Sequence, residues 1–222
     1  MKSRRFRAIV FDLDGTLVHT RQVYPAAYAE ALEPYLGRPF TTGDLAAMRA
    51  ATEGRPLRLL AKSEDFERVK RDFVSAYMAA FDRLAEPWPD WPALLRPLWR
   101  LAPLAVFTGK SRETADFTLE RLGLAGFFRI VITEDDIERP KPDPSGLAEA
   151  CRLLDIPPQD VLYLADTWTD LGLCRALGAP MAAAAWFRGD PRYWRRWFAP
   201  RPIAVFSAPE DFVAYALERL AE

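Results

Sequence analysis

Paired carboxylates follow two apolar runs of the 222-residue sequence: Asp12 with Asp14, and Asp166 with Asp170. Carboxylate oxygens suit Mg²⁺, and carboxylates also act as nucleophiles and acid–base groups. Asp-x-Asp is equally a common turn sequence, while Asp166 and Asp170 also suit an N-cap and a first-turn acid. A calcium loop is excluded for the first pair, because Leu17 stands where that loop requires glycine.

A hydroxyl, a glycine and a lysine follow two further apolar runs. Thr108 and Gly109 precede a predicted helix start, where a hydroxyl and free backbone N–H groups suit a phosphate. A P-loop is excluded, because the glycine that it requires five residues before Gly109 is Leu104 here. Lys141 lies in the proline-rich stretch Pro140–Pro144, which is stiff enough to hold a side chain in place. The alternative for Lys141 is a solvated loop lysine.

Six short apolar runs predict the strands that must position these residues: Ala8–Phe11, Leu104–Phe107, Ile130–Ile132, Val161–Leu164, Met181–Trp186 and Ile203–Phe206. The runs do not alternate with polar residues, which predicts strands buried on both faces. Helices are predicted between and after the later runs, at Ser111–Gly123, Ser145–Asp155, Thr169–Gly178 and Pro209–Leu220. This alternation predicts an α/β fold with a doubly wound parallel sheet, a Rossmann-like core.

The segment from Val18 to Glu86 interrupts the alternation, because only helical patterns are found in it. The clearest helical face consists of Phe66, Val69, Phe73, Tyr77, Ala80, Phe81 and Leu84. Shorter helices are predicted at Pro25–Leu36 and Thr42–Ala51, and Pro87–Pro92 is predicted to be a rigid linker. We therefore predict a core at residues 1–17 and 87–222 and an inserted all-helical cap at 18–86. An insert after the first strand would lie above the ligand-binding edge of the sheet, as a lid.

All the residues singled out above fall at the carboxyl ends of strands, which share one edge in a parallel sheet. Their order and spacing resemble the four motifs of the haloacid dehalogenase-like hydrolases, over nearly the whole chain. The first motif, Asp-x-Asp-Gly-Thr, is matched by Asp12–Thr16, and the others by Thr108, by Lys141 and by Asp166 with Asp170. The Thr108-Gly109-Lys110 variant, the Lys141-Pro142 pair and the helical insert resemble phosphoglycolate phosphatase-like members in particular.

This resemblance implies a magnesium-dependent phosphatase acting on a small phosphorylated metabolite. Asp12 would attack phosphorus and form an aspartyl-phosphate, and Asp14 would protonate the leaving oxygen and then help activate water. Mg²⁺ would be held by Asp12, by the backbone carbonyl of Asp14 and by Asp166, with Asp170 orienting metal-bound water. The family's dehalogenases and phosphonatases have a different residue at the Asp14 position, so Asp14 favours a phosphatase or phosphomutase.

The resemblance also implies which residues bind the substrate phosphate. Lys141 would supply positive charge, and Thr108 and Gly109 would donate hydrogen bonds to phosphoryl oxygens. Two positions depart from the family pattern: Ala165 replaces a glycine, and His19 replaces an acidic residue. Neither departure removes a catalytic group, and we expect His19, the single histidine of the chain, to be packed or solvated.

Two alternatives remain at this stage. One is a phosphomutase resembling β-phosphoglucomutase, and the other is a non-enzymatic binding member of the fold. Loss of Asp12, Asp14 or Lys141 would have favoured the second, and all three are present.

Composition limits the cellular locations and the classes of partner that we expect for the protein. The chain has 30 Lys and Arg against 31 Asp and Glu, so its net charge of -1 gives no general attraction to nucleic acid. Its apolar runs are too short to span a membrane, and the basic N-terminus is not followed by a leader-like apolar stretch. Two cysteines, both in helical patterns, do not indicate disulfides. We therefore expect a cytoplasmic enzyme, monomer or homodimer, without membrane or nucleic-acid partners.

Overall fold

A six-stranded parallel sheet forms the centre of the protein in a computed structural model, which describes residues 5–41, 43–44, 52–87, 89–187, 194 and 202–220. Its strands are β1 (Ala8–Phe11), β4 (Leu104–Phe107), β5 (Ile130–Ile132), β6 (Val161–Ala165), β7 (Met181–Ala184) and β8 (Ala204–Phe206). They lie in the order β5-β4-β1-β6-β7-β8, and every neighbouring pair is parallel. The predicted doubly wound α/β fold is therefore confirmed.

Strand β1 lies between β4 and β6 and is buried on both faces. Ile9 and Phe11 belong to one hydrophobic cluster, while Ala8 and Val10 belong to the cluster on the opposite face. Helices cover both faces of the sheet, and they are α4 (Trp91–Leu101), α5 (Arg112–Arg121), α6 (Ser145–Leu154), α7 (Trp168–Leu177) and α8 (Pro209–Leu217). Because apolar side chains project from both faces of β1, the strand can be stable only inside such a three-layer arrangement.

The edge strands β5 and β8 depart from the predicted burial on both faces. Ile130 and Val131 are only half-buried, and Val205 is 37% exposed. Each edge strand has a single neighbouring strand in the sheet. An apolar run of three residues cannot distinguish such an edge strand from a central one, because neither shows polar alternation.

The segment between β1 and β4 forms a second packed unit. Its described residues include the helices α1 (Val23–Leu36), α2 (Gly54–Leu60) and α3 (Phe66–Leu84), whose apolar faces meet in a cluster of their own. The prediction of helical patterns alone was incomplete, because β2 (Val18–His19) and β3 (Glu86–Pro87) pair as an antiparallel ribbon at the two ends of the segment. Strands of two residues are too short to give a periodic pattern.

The other predicted helices agree with the structure to within a few residues. Ser111 is the N-cap of α5 and accepts a hydrogen bond from the backbone N–H of Thr114, and Gly178 ends α7 in a left-handed conformation. Helix α4 was missed, because its start lies within the stretch predicted to be a linker. The helix predicted at Thr42–Ala51 lies mostly outside the described residues. None of the helices in the described part of the chain has the length and apolar character that crossing a membrane requires.

Candidate active site

The loop after β1 places Asp12 and Asp14 on either side of a buried anchor, Leu13. The carbonyl of Leu13 accepts hydrogen bonds from the backbone N–H groups of Thr16 and Leu17, at 3.1 and 2.8 Å, so the chain turns back sharply after the strand. Gly15 makes this turn possible with φ of +78°. The two carboxylates consequently leave the extended strand geometry and reach different surroundings.

Asp12 lies in a buried group of carboxylates, which we call the acidic cluster: Asp12, Asp166 and Asp170. One oxygen of each carboxylate lies within 4.8 Å of those of the other two. Asp166 directly follows β6, and Asp170 lies in the first turn of α7, whose N-cap is Thr167. The structure thus brings together three residues that the sequence singled out, and Thr167 takes the N-cap position suggested for Asp166.

Lys141 joins two members of the acidic cluster. Its ammonium donates hydrogen bonds to Asp12 Oδ1 at 2.9 Å, to Asp170 Oδ1 at 2.8 Å and to the hydroxyl of Tyr163 at 2.9 Å. The lysine is only 6% exposed, and its ammonium lies over the Phe107 ring. The alternative of a solvated loop lysine is therefore wrong. Tyr163, which the sequence analysis missed, belongs to an apolar run whose other members face the core.

Burial makes the charges of the acidic cluster costly. It raises the pKa of Asp12 to about 8, and the neighbouring carboxylates of Asp170 and Asp166 add to this effect although Lys141 opposes it. Burial alone would lower the pKa of Lys141, but Asp12 and Asp170 raise it above its ordinary value. Three carboxylates thus face one ammonium, and this imbalance favours a further cation at the cluster.

The residues of the acidic cluster fit a divalent cation such as Mg²⁺. Their donor atoms are hard carboxylate oxygens, which Mg²⁺ prefers. Gly15 also leaves space beside Asp166, because a Cβ at position 15 would lie only 2.4 Å from Asp166 Oδ2. The absence of a side chain at Gly15 therefore keeps the Asp12 loop close against Asp166.

Thr108 and Gly109 follow β4, next to the Asp12 loop. The hydroxyl of Thr108 is buried and accepts a hydrogen bond from the backbone N–H of Lys110 at 3.3 Å. The Gly109 carbonyl accepts one from the backbone N–H of Glu53, at 2.9 Å. Both residues thus lie at the predicted edge of the sheet, and Gly109 contacts the segment between β1 and β4.

Asp14 contacts a group of side chains separate from Asp166 and Asp170, which we call the Asp14 network: Asp14, Thr20, Tyr24, Glu53 and Lys110. Thr20 donates to Asp14 Oδ1 at 2.8 Å, and the Tyr24 hydroxyl lies 2.9 Å from Asp14 Oδ2. The Lys110 ammonium lies 3.6 Å from the same Asp14 oxygen. The two carboxylates of the Asp-x-Asp sequence therefore have different partners and are suited to different roles.

Glu53 and Lys110 form a buried ion pair between the segment and the core, with 2.9 Å between Glu53 Oε1 and Lys110 Nζ. The side chains are 3% and 0% exposed. Glu53 Oε2 accepts hydrogen bonds from the backbone N–H of Ser111 and from the hydroxyls of Ser111 and Thr114, at 2.9, 3.0 and 2.5 Å. Burial alone would raise the pKa of Glu53, but Lys110 and the hydrogen bonds lower it. The Glu53 carboxylate thus occupies an anion site at the N-terminus of α5.

Sequence reasoning missed Tyr24, Glu53 and Lys110 as site residues. Lys110 was considered only as part of a P-loop, and a single glutamate in a helical segment gives no signal of burial. Glu53 and Lys110 lie 57 positions apart, so no local spacing connects them. The helix start at Ser111 was a usable signal, because its free N–H groups require an anionic or polar partner.

His19 packs at the β2–β3 ribbon. Its ring stacks on that of Phe187, with 4.9 Å between the centroids and 12° between the planes. The preceding residue, Trp186, donates its indole N–H to the carbonyl of Thr16 at 2.9 Å. No role is predicted for the aromatic and basic stretch Phe187–Phe198, most of which lies outside the described residues.

Comparisons with known proteins agree with this geometry. The sequence profile of the haloacid dehalogenase-like hydrolase family matches residues 9–184. The N-acetylmuramic acid 6-phosphate phosphatase of Pseudomonas aeruginosa is 30% identical over 208 residues, which cover 87% of this chain and 90% of that protein. The pyrophosphatase PpaX of Bacillus velezensis is 29% identical over 191 residues, covering 84% of this chain and 86% of that protein.

The fold has similar solved structures. A hydrolase from Pseudomonas syringae aligns with a TM-score of 0.78 at 23% identity, covering 97% of this chain and 100% of that chain. The family profile spans both the acidic cluster and the Asp14 network. The resemblance drawn from the four motifs is thus confirmed, and the chain is a hydrolase that belongs to the haloacid dehalogenase-like family.

Proposed function

We propose that this protein is a magnesium-dependent phosphatase that hydrolyses a small phosphorylated metabolite through an aspartyl-phosphate on Asp12. The observation that carries the proposal is the position of Asp12. Its carboxylate lies at the carboxyl end of the central strand, is hydrogen-bonded to Lys141 at 2.9 Å and is grouped with Asp166 and Asp170. The phosphatases named among its relatives support this choice of reaction.

The different surroundings of the two carboxylates suit two chemical roles. Asp12, held by Lys141 within the acidic cluster, is the proposed nucleophile, and its attack on phosphorus divides one difficult hydrolysis into two easier steps. Asp14 has hydroxyl neighbours instead, and its side chain is 24% exposed. It is the proposed acid that protonates the leaving oxygen, and then the base that takes a proton from the attacking water.

The other residues compensate negative charge. Lys141 offers a preorganised positive charge at Asp12, and Thr108 and Gly109 are the proposed hydrogen-bonding partners of the phosphoryl oxygens. Asp12, Asp166 and the Asp14 backbone carbonyl would hold Mg²⁺, with Asp170 beside them orienting a water. When bound, Mg²⁺ would supply positive charge to an anionic phosphate approached by an anionic nucleophile.

The substrate is proposed to be small, because residues 18–86 are the proposed lid over the site. Tyr24 and Glu53 belong to this segment, and both contact core residues of the Asp14 network. Phosphoglycolate-like acids, sugar phosphates, nucleotides and pyrophosphate fit under such a lid, whereas a folded phosphoprotein does not. Relatives that act on N-acetylmuramic acid 6-phosphate or pyrophosphate support this size range.

We propose a cytoplasmic location and a monomeric or homodimeric state. Cys151 and Cys174 are both free thiols and both buried, which suits a reducing compartment.

The proposal is tested by screening phosphorylated metabolites for phosphate release with and without Mg²⁺. Wild-type protein should release phosphate from at least one small monoester or from pyrophosphate, and only with the metal.

Asp12→Asn should abolish turnover, whereas Asp166→Ala should raise the Mg²⁺ concentration needed for half-maximal activity. Steady-state turnover by pure Asp12→Asn protein would exclude the covalent route, and an unchanged Mg²⁺ titration would remove Asp166 from the metal site. Transfer of phosphate to a second sugar phosphate, rather than to water, would favour the phosphomutase alternative.

A further inference from the structure

The Asp14 carboxylate is held by groups from the segment between β1 and β4, and not by the acidic cluster. Thr20 donates to one carboxylate oxygen at 2.8 Å, and the Tyr24 hydroxyl lies 2.9 Å from the other. Tyr24 is one residue into α1, so its side chain approaches Asp14 from outside the core. An acid that must protonate a leaving oxygen depends on its orientation, and these are the contacts that fix it.

The Tyr24 hydroxyl has one proton and two carboxylate neighbours. It lies 2.7 Å from Glu53 Oε1 and 2.9 Å from Asp14 Oδ2, and it accepts a hydrogen bond from Lys110 Nζ at 2.9 Å. The hydroxyl can donate this proton to Asp14 Oδ2 or to Glu53 Oε1, so Tyr24 links the two carboxylates. Burial, together with the charges of Asp14 and Glu53, raises the pKa of Tyr24 well above its ordinary value, so the hydroxyl keeps its proton.

Lys110 and Glu53 hold Tyr24 in this position. The Lys110 ammonium is fully buried and lies over the rings of Tyr77 and Tyr24, 3.8 and 5.0 Å from their centroids. The other oxygen of Glu53 is bound at the N-terminus of α5. A charged pair buried this deeply keeps its geometry only when both partners are present.

We propose that Tyr24 is a positioning residue for Asp14 and that the Lys110–Glu53 pair locks it in place. The inference rests on the proposed function, since it assumes that Asp14 is the acid in phosphoryl transfer. Docking of the segment and orientation of the acid are then one event, because the Lys110 ammonium binds both Glu53 and Tyr24, and Tyr24 contacts Asp14 directly.

The test measures how the loss of activity depends on the leaving group. Wild type and Tyr24→Phe are assayed on aryl phosphates of similar size, from 4-nitrophenyl phosphate, whose phenol leaves readily, to phenyl phosphate, whose phenol needs more protonation. We expect Tyr24→Phe to lower kcat/KM by less than about threefold on the first and by at least roughly tenfold on the second, part of the 10²–10⁴-fold that a general acid contributes. Unfolded enzyme lowers both values by the same factor, so their ratio does not depend on the folded fraction.

The matched control is Tyr35→Phe, on the same helix. Its hydroxyl donates to Asp72 Oδ2 at 2.7 Å, on the exposed surface and outside the Asp14 network. Tyr35→Phe should leave the ratio of the two kcat/KM values unchanged.

Glu53→Gln should change this ratio in the same direction as Tyr24→Phe, because Lys110 is then left with Asp14 as its carboxylate partner in the network.

Asp14→Asn separates failure of this inference from failure of the proposed function. Asp14→Asn should lower kcat/KM more on phenyl phosphate than on 4-nitrophenyl phosphate. If it does so while Tyr24→Phe lowers kcat/KM equally on all substrates, the positioning role is wrong. If Asp14→Asn itself shows no trend, Asp14 is not the acid and the proposed mechanism fails with it.

Discussion

Lys141 is the residue on which the charge balance of the acidic cluster depends. We expect Lys141→Ala to lower kcat by about 10²- to 10³-fold, because a preorganised charged contact typically contributes about 2.7–4 kcal/mol to transition-state stabilisation. Steady-state kinetics on the metabolite found in the phosphate-release screen would measure this loss. Lys70→Ala is the control, because Lys70 pairs with Asp135 away from the cluster. A loss below tenfold, about 1.4 kcal/mol, would mean that Lys141 is not part of the catalytic machinery.

Gly15 offers a test that removes no functional group. In Gly15→Ala the new methyl would lie 2.4 Å from Asp166 Oδ2 and would displace this carboxylate. We expect the half-saturating Mg²⁺ concentration to rise at least about tenfold, in the range that disturbing the support of a metal site typically costs. The measurement is a Mg²⁺ titration of activity.

Gly37→Ala is a matched control for this substitution. Gly37 also has a positive φ, +64°, but a Cβ there would meet nothing within 4 Å. Both variants carry a similar backbone strain of about 1–2 kcal/mol, whereas only Gly15→Ala crowds the cluster. Equal Mg²⁺ titrations for the two variants would contradict the expectation.

At the scale of elements, the Glu53–Lys110 pair joins the start of α2 to the start of α5. Lys110→Met is expected to lower the free energy of unfolding by about 3–5 kcal/mol, because it leaves Glu53 buried without its charge partner. Lys70→Met removes another ion pair between the segment and the core, 3.0 Å long but 29% and 36% exposed, and should cost less than about 1 kcal/mol. Urea unfolding measures the free energy of unfolding of both variants. Similar decreases for the two would show that burial of the Glu53–Lys110 pair does not increase its contribution to stability.

Glu134 makes this junction sensitive to pH. Its carboxylate accepts a hydrogen bond from the backbone N–H of Gly54 at 2.8 Å, while burial and the nearby Glu53 raise its pKa from 4.5 to about 7. Between these values the folded protein keeps a proton that the unfolded chain has released, so stability falls as pH rises from about 4.5 to about 7. The Tm of wild type, compared with that of Glu134→Gln, should therefore decrease over this window. A constant difference in Tm would contradict the raised pKa.

The helices could be predicted from the sequence where the hydrophobic periodicity agrees with a capping residue, as at Ser111 and Gly178. The acidic cluster was also predictable, because each of its members ends a strand or begins a helix on one edge of the sheet. Glu53, Tyr24 and Lys110 were not, because their partners are set by how the segment docks on the core. The paired strands β2 and β3 were missed for a related reason, since only tertiary contact makes two residues a strand.

At the scale of the whole molecule, the position of the segment has a consequence for the order of folding. Strands β1 and β4 are neighbours, with Ile9 opposite Leu104, but residues 12–103 must close as a loop between them. Prior pairing of β2 with β3 leaves residues 12–17 and 88–103 as the effective loop, which is about fourfold shorter. Its closure entropy is then lower by roughly 1.2 kcal/mol. Folding should therefore begin in the helical segment, with the central sheet following.

Refolding kinetics would reveal this order. Phe73 is buried in the cluster of the segment, and Phe212 is buried in the core. Replacing either one by alanine removes a side chain of the same size. Phe73→Ala should slow refolding about tenfold, whereas Phe212→Ala should mainly accelerate unfolding. Stopped-flow measurements with the opposite pattern would mean that the sheet forms first. With the expected pattern, the segment proposed as the lid would also be the nucleus from which the sheet is built.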